Sequence, residues 1–249
     1  MAIAAPLSFV FHVSDRSAWL GGLSNKETDR DIRLLYFTSS TPFHREAFAE
    51  FKTSADIMSR SGTINLQRLG STNWDKTPKV NGELFALTYG SMVSQIVKDY
   101  EEIDSINAQL EKMGHNIGVR LIDEFLAKSG VDSPCSNFKE TAEMISKVAF
   151  RMFLNIVAEC KSYGGEENSF GIVFNENPIT EFVELPPNLQ GLKYCNVLCG
   201  VIKGALEMIQ MDVEAELVKE IMKGDDCYEI RITYKKSLKA QMNEDYADV

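Results

Sequence analysis

The pattern of hydrophobic and polar positions divides the chain into two parts that meet near residue 81. Residues 24–31 are a polar, charged run, and residues 38–78 are rich in Ser, Thr, Asn, Gly and Pro. Such a composition offers too few apolar positions to build a core. We therefore predict that residues 1–80 are a mostly disordered N-terminal extension, whose residues 1–57 add nothing to the folded domain. The domain itself is predicted to span 81–238, followed by an acidic tail at 239–249.

Three stretches after residue 81 repeat apolar residues at steps of three and four, which is the spacing of one helix face. They predict helices over 83–100, 104–127 and 138–154. Residues 192–210 predict a fourth helix, whose apolar residues spread widely enough to suggest burial on most sides. Asp104 is the expected cap of the second helix. Asn137 followed by Glu140 is a capping-box-like start for the third.

Strands are predicted where the apolar positions alternate instead. Residues 170–174, 213–217 and 228–234 alternate in this way, and residues 179–185 are read as a further strand after the Asn177-Pro178 turn. Three helices followed by two hairpins that a helix separates are typical of an α+β domain with an antiparallel sheet.

Charge and hydropathy narrow the function classes. The net charge is −10, and residues 82–249 hold 28 acidic against 16 basic side chains. An acidic domain argues against a nucleic-acid binder, which needs a basic face to neutralise phosphates. No window approaches 18 uncharged apolar residues, so we predict no transmembrane helix. The apolar start of the chain lacks the basic residues of a secretory signal.

The five cysteines are an odd number without a paired motif, which indicates reduced thiols in the cytosol. Cys135 is the one of chemical interest, because it lies just before a predicted helix N-terminus whose dipole could lower its pKa and make it a nucleophile. The alternative, a simply packed thiol, stays open. Cys195 and Cys199 lie one helical turn apart but lack two further ligands, so packing is favoured and no metal site is predicted. His115 is a weak candidate base, more typical of a structural or exposed position.

Five segments closely resemble, in the right order, the subunit-three type of the transport protein particle (TRAPP) family of small subunits. They are GELFALTYGSMVSQ (82–95), MGHNIGVRLIDEFLA (113–127), NFKETAEMISKVAFRMFL (137–154), NPITEFVELP (177–186) and CGVIKGALEMIQM (199–211). The resemblance covers about two-thirds of the chain, from Gly82 to Lys236, and five ungapped blocks are far more specific than a short motif.

The resemblance implies a fold and a function. The fold is α+β, with helices packed on one face of a four-stranded antiparallel sheet. The function is that of a core scaffold subunit in a vesicle-tethering complex of transport from the endoplasmic reticulum (ER) to the Golgi apparatus. Such a subunit dimerises through its helices with other TRAPP small subunits. The assembled complex promotes nucleotide exchange on a Rab-family GTPase, so the subunit itself is expected not to be an enzyme. Its expected place is cytoplasmic, peripheral at the cis-Golgi and ER and in contact with the Golgi membrane.

The resemblance also assigns roles to individual residues. Cys135 matches the family's fatty-acylated cysteine, so covalently bound palmitate is expected and no other cofactor. Ala149 matches a small residue of the acyl tunnel, and Ile145 and Met152 are predicted to line the tunnel with it. The basic residues expected to face the membrane are Lys139, Lys147 and Arg151.

Two other functions remain as alternatives. One is a free-standing binder of small hydrophobic ligands with the same architecture. The other is a cysteine acyl-transfer enzyme, an acyltransferase or thioesterase that uses Cys135. The sequence shows no His and acid arrangement for the latter.

Overall fold

The computed structural model describes residues 2–4, 65–131, 135–163 and 168–237. In chain order, its elements are β1 (Ala2–Ala4), α1 (Leu66–Lys76), β2 (Lys79–Asn81), α2 (Gly82–Asp99), α3 (Ile103–Lys128), α4 (Phe138–Met144), a π-turn (Ile145–Ala149), α5 (Phe150–Leu154), β3 (Glu159–Ser162), β4 (Ser169–Phe174), a 3-10 turn (Pro187–Leu189), α6 (Asn196–Met208), β5 (Met211–Lys219), a second 3-10 turn (Ile221–Lys223) and β6 (Tyr228–Ser237).

The four strands β3, β4, β6 and β5 lie side by side in that order and are all antiparallel. Every second side chain of β4 and β6 is buried under the helices, among them Phe170, Ile172 and Ile230. Phe138 of α4 packs on Phe170, and Phe150 of α5 packs on Phe174, so these helices cover the same face of the sheet. The predicted α+β fold is confirmed.

The long helices form where the apolar spacing predicts them. The side chain of Asn81 accepts a hydrogen bond from the Leu84 N–H at 2.9 Å and caps α2. The cap of α3 is Glu102, so the prediction of Asp104 as cap is wrong. Asp104 lies in the first turn instead, where its charge still complements the helix dipole. Helix α6 begins at Asn196, four residues after the predicted start.

Residues 179–185 are not a strand, and this prediction is wrong. They form turns because Asn177 satisfies the local backbone: its side chain accepts from the Ile179 N–H and its carbonyl accepts from the Thr180 N–H, both at 3.1 Å. The remaining strand of the sheet is β3, four residues at the edge with an exposed and uneven pattern. A short edge strand needs no alternating apolar face, so its sequence carries little signal.

The boundary predicted at residue 81 is also wrong for the described part of the first 80 residues. Strand β1 pairs with β2, and Ile3 and Ala4 are fully buried against α2 and α5. Residues 1–57 therefore do supply core side chains. Helix α1 is capped by Asn65 and packs on the π-turn and α5. The rest of the predicted extension and the acidic tail at 239–249 lie outside the described residues.

Low apolar content hid α1 from the sequence pattern, because its buried residues besides Trp74 are a glycine and an asparagine. Gly70 lies against the backbone of Lys147 and Val148. The Asn73 side chain is buried and donates to the Ser129 carbonyl at 2.8 Å. Neither Gly70 nor Asn73 adds to an apolar periodicity, so the sequence pattern does not reveal these contacts.

Candidate functional site

A mostly apolar cavity of about 600 Å³ lies between α3, α6 and the segment from α4 to α5. This volume lies within the usual range for pockets that hold a small organic ligand. Its walls include Leu121 and Phe125 of α3, and Val201 and Ile202 of α6. These wall residues were not predicted from the sequence, although they are among the apolar residues that predicted both helices. Periodicity shows that a face is apolar, but not whether it meets a neighbour or a void.

Cys135 lies on the wall of this cavity, one turn before the start of α4. The predicted cap of that helix is confirmed: Asn137 Oδ1 accepts from the Glu140 N–H at 2.9 Å. The Glu140 carboxylate reaches back and accepts from the Ser136 N–H at 2.7 Å. These two bonds fix the chain immediately after Cys135 and so hold its thiol at the cavity.

The thiol of Cys135 is not activated in the free protein. Burial raises its pKa above the ordinary 9.0, and the charge of Glu140 raises the pKa further, while a hydrogen bond with Thr141 acts in the opposite direction. The net shift is thus opposite in direction to the lowering that a helix dipole could cause. At neutral pH the group is a thiol, and a thiol is a much poorer nucleophile than a thiolate.

The π-turn decides which side chains of the third predicted helix face the cavity. Its Phe150 N–H bonds to the Ile145 carbonyl, five residues back. Such a turn holds one more residue than an α-helical turn, so the positions after it are rotated by about 100° from the α-helical expectation. The cavity is accordingly lined by Thr141, Met144, Ile145, Ala149, Phe150, Phe153 and Leu154.

Two of the three predicted tunnel residues, Ile145 and Ala149, line this cavity together with Cys135. Met152 does not line it, although it is completely buried. In a regular α-helix Met152 would share the face of Ile145, seven residues earlier. The π-turn rotates it away and brings Phe153 to the wall instead.

The three basic residues predicted to face the membrane do not form a single free patch. Lys139 is exposed. Lys147 pairs with Glu143 at 2.9 Å, and Arg151 Nη1 donates to the Asn155 carbonyl at 3.2 Å. Helix α1 also packs against the segment that carries Lys147 and Arg151.

The other residues singled out in the sequence have structural contacts. Cys195 and Cys199 are fully buried; Asn177 Nδ2 donates to the Cys195 sulfur at 3.2 Å, and burial raises the pKa of Cys199 to about 12. His115 of α3 bonds to Glu207 of α6. Across the described ranges, no group of His, Cys, Asp or Glu side chains could hold a metal ion.

The part of the chain that the structure describes contains no helix long and apolar enough to cross a membrane.

Comparison with known proteins agrees with this architecture. A family model described as "Transport protein particle (TRAPP) component" matches residues 85–233. The chain is 47% identical over 172 residues to the trafficking protein particle complex subunit 3 of Dictyostelium discoideum, covering 69% of this chain and 92% of that protein. It is 41% identical over 189 residues to the trafficking protein particle complex subunit BET3 of Saccharomyces cerevisiae, covering 75% and 97%.

A solved structure is also similar. The crystal structure of a trafficking protein particle complex subunit 3 from Naegleria fowleri covalently bound to palmitic acid has 52% sequence identity and a TM-score of 0.61. The match covers 64% of this chain and 97% of that one.

Proposed function

This chain belongs to the TRAPP component family, and from that premise we propose that it is a core scaffold subunit of the vesicle-tethering complex that acts between ER and Golgi. It carries a fatty acyl chain on Cys135, held inside the domain. The single observation that supports this most is the apolar cavity with Cys135 on its wall, in a chain similar to a protein that binds palmitic acid covalently.

The free energy of burial favours an acyl chain that stays inside the protein. Each buried methylene contributes about 0.8 kcal/mol, so burying most of a sixteen-carbon chain contributes on the order of 10 kcal/mol. The cavity walls are mostly apolar, which suits such a ligand. A chain held there stabilises the fold and is unavailable to a bilayer.

Acylation of Cys135 through a thioester is tested by measuring the intact mass of the protein before and after treatment with hydroxylamine, which cleaves thioesters. Wild-type protein from eukaryotic cells is expected to carry palmitate and to lose it with hydroxylamine. Cys135→Ser removes the acylation and still folds. Ala149→Leu adds bulk at the cavity wall and is expected to block entry of the acyl chain. The helix should be little affected, since Leu is nearly as good a helix former as Ala.

Ala127→Leu is the matched control, because Ala127 is exposed on α3 and lies outside the cavity wall. This variant should be acylated like the wild type. An unmodified wild-type mass, together with no uptake from palmitoyl-coenzyme A in vitro, would contradict the proposal. Release of several equivalents of coenzyme A for each protein chain would instead favour the acyl-transfer enzyme.

The partner surface is the outer face of α2. Leu84 and Leu87 are 66% and 61% exposed, although both are large and apolar. Lone exposed apolar residues are common, but two at a three-residue step on one helix give an apolar face that a related small subunit can cover. We assign dimerisation with other TRAPP small subunits to this face.

The test is the Leu84→Glu, Leu87→Glu double variant in pull-downs with TRAPP small subunits. Loss of two central apolar contacts is expected to cost at least about 2 kcal/mol, which weakens binding about thirtyfold or more. Val157→Glu is the matched control, since Val157 is 68% exposed and lies between α5 and β3, not on α2. Unchanged binding by the double variant would refute this assignment. A wild-type protein that emerges from cells alone would favour the free-standing ligand binder.

The assembled complex then promotes nucleotide exchange on a Rab-family GTPase by binding that distorts its switch regions. Omitting this subunit from a reconstituted complex should abolish the exchange, measured by release of a fluorescent nucleotide.

The subunit is cytoplasmic and peripheral at the cis-Golgi and ER. Contact with anionic Golgi lipid is supported by three basic residues, Lys139, Lys147 and Arg151. Lys139 is the exposed one of the three, so Lys139→Glu should reduce co-sedimentation with anionic vesicles the most.

A further inference from the structure

The π-turn at 145–149 is the point where the shape of the cavity is set, and α1 packs on its outer side. A Cβ added to Gly70 would lie 2.5 Å from the Lys147 carbonyl oxygen, 3.0 Å from the Arg151 Cβ and 3.2 Å from the Val148 Cα. Two of these three atoms belong to the backbone of the π-turn. The other side of the same turn presents Ile145 and Ala149 to the cavity.

A π-turn is less favourable than a regular α-helical turn and persists where its surroundings hold it. The turn itself is tightly packed. Ser146 and Val148 are fully buried, and the Ser146 hydroxyl donates to the Glu143 carbonyl at 3.2 Å. Gly70 gives α1 the closest backbone approach at this point, which no larger residue would allow.

We propose that α1, through Gly70, holds the π-turn and thereby selects the length of acyl chain that the cavity accepts. If α1 is displaced, the turn relaxes towards a regular helix, and the residues after it rotate by about 100°. Met152 then turns towards the cavity while Phe150 and Leu154 leave it, so the depth of the cavity changes. This role of α1 rests on the proposed function, in which the cavity holds the chain bound to Cys135.

Gly70→Ala tests the coupling with two matched controls. Gly90→Ala is the same change in a helix interior, where the added Cβ would meet only the Tyr194 hydroxyl at an ordinary 3.4 Å. Ile232→Val weakens the sheet core, far along the chain from the π-turn, and controls for loss of stability alone. Each full-length protein is loaded from an equal mixture of palmitoyl- and myristoyl-coenzyme A and read by intact mass. Amide hydrogen exchange over residues 145–154 is measured on the same samples.

The two extra methylenes of palmitate should give wild-type protein about a tenfold preference for it over myristate. Gly70→Ala is expected to bring this preference near parity and to speed exchange over 145–154, while Gly90→Ala and Ile232→Val keep the wild-type preference. Unchanged exchange in Gly70→Ala overturns the proposal. Faster exchange with an unchanged chain preference overturns it as well, because α1 would then hold the helix without shaping the cavity.

Failure of the proposed function gives a different result, namely wild-type protein that takes up neither chain. Free palmitate and myristate are then competed against the fluorescent probe anilinonaphthalene sulfonate in the cavity. A wild-type preference for palmitate that Gly70→Ala removes supports the role of α1 without the thioester. Equal preferences in the two proteins overturn it.

Discussion

The crossing of α3 and α6 allows a prediction whose sign depends on the tertiary structure. Gly118 of α3 lies so close to α6 that an added Cβ would fall well inside 3.0 Å of the Val201 carbonyl oxygen and 2.8 Å from the Ala205 nitrogen. Both are backbone atoms, so neither can move without moving the helix. Gly118→Ala must therefore push the two helices apart.

Two opposing effects determine the magnitude. Alanine improves helix propensity over glycine by about 1 kcal/mol. Overpacking in a well-packed contact usually costs about 1–3 kcal/mol, and here it also loosens the apolar contacts along the whole crossing. We expect a net loss of about 2 kcal/mol in the free energy of unfolding. For a chain of this size, that lowers the melting temperature by about 4–8 °C.

The assay is thermal unfolding followed by circular dichroism, with urea unfolding as a second measure. Gly90→Ala is the control, since its added Cβ meets no atom closer than 3.4 Å. It should raise the melting temperature by about 2–4 °C through helix propensity alone. If Gly118→Ala melts at or above the wild-type temperature, or if both variants shift in the same direction, the argument from close approach is refuted.

Three further predictions follow from burial. Deleting residues 1–4 should lower the free energy of unfolding by about 1–2 kcal/mol, because Ile3 and Ala4 are fully buried; an unchanged melting temperature would show that β1 contributes nothing. Burial raises the pKa of Glu220 above its ordinary 4.5, so the folded state binds this proton more tightly, and the free energy of unfolding should fall as the pH rises from 4.5 through the folded pKa. Glu220→Gln should remove that slope in urea titrations, and parallel curves for the two proteins would contradict it. Because burial also raises the pKa of Cys135 above 9.0, its acylation by palmitoyl-coenzyme A should keep accelerating as the pH rises through that value; a rate that levels off below about pH 8 would point to an activated thiol.

The sequence by itself determined the features that depend on neighbouring residues along the chain. The Asn137 cap, the three long apolar stripes and the alternating positions of β4, β5 and β6 all record local periodicity or a local hydrogen bond. Together they were enough for the α+β class, and the resemblance added the order of the family's segments. Cys135, Ile145 and Ala149, which line the cavity, could be singled out because each lies in or beside such a segment.

Only the tertiary structure decided the rest. Met152 leaves the cavity because the π-turn changes the phase of the helix, and Gly70, more than seventy residues earlier, packs against that turn. Ile3 joins the core by pairing with a strand that follows it by more than seventy residues. The pKa of Cys135 is raised chiefly by the burial that the fold imposes. In each case the deciding contact joins segments distant in sequence, and periodicity, propensity and capping carry no information about such contacts.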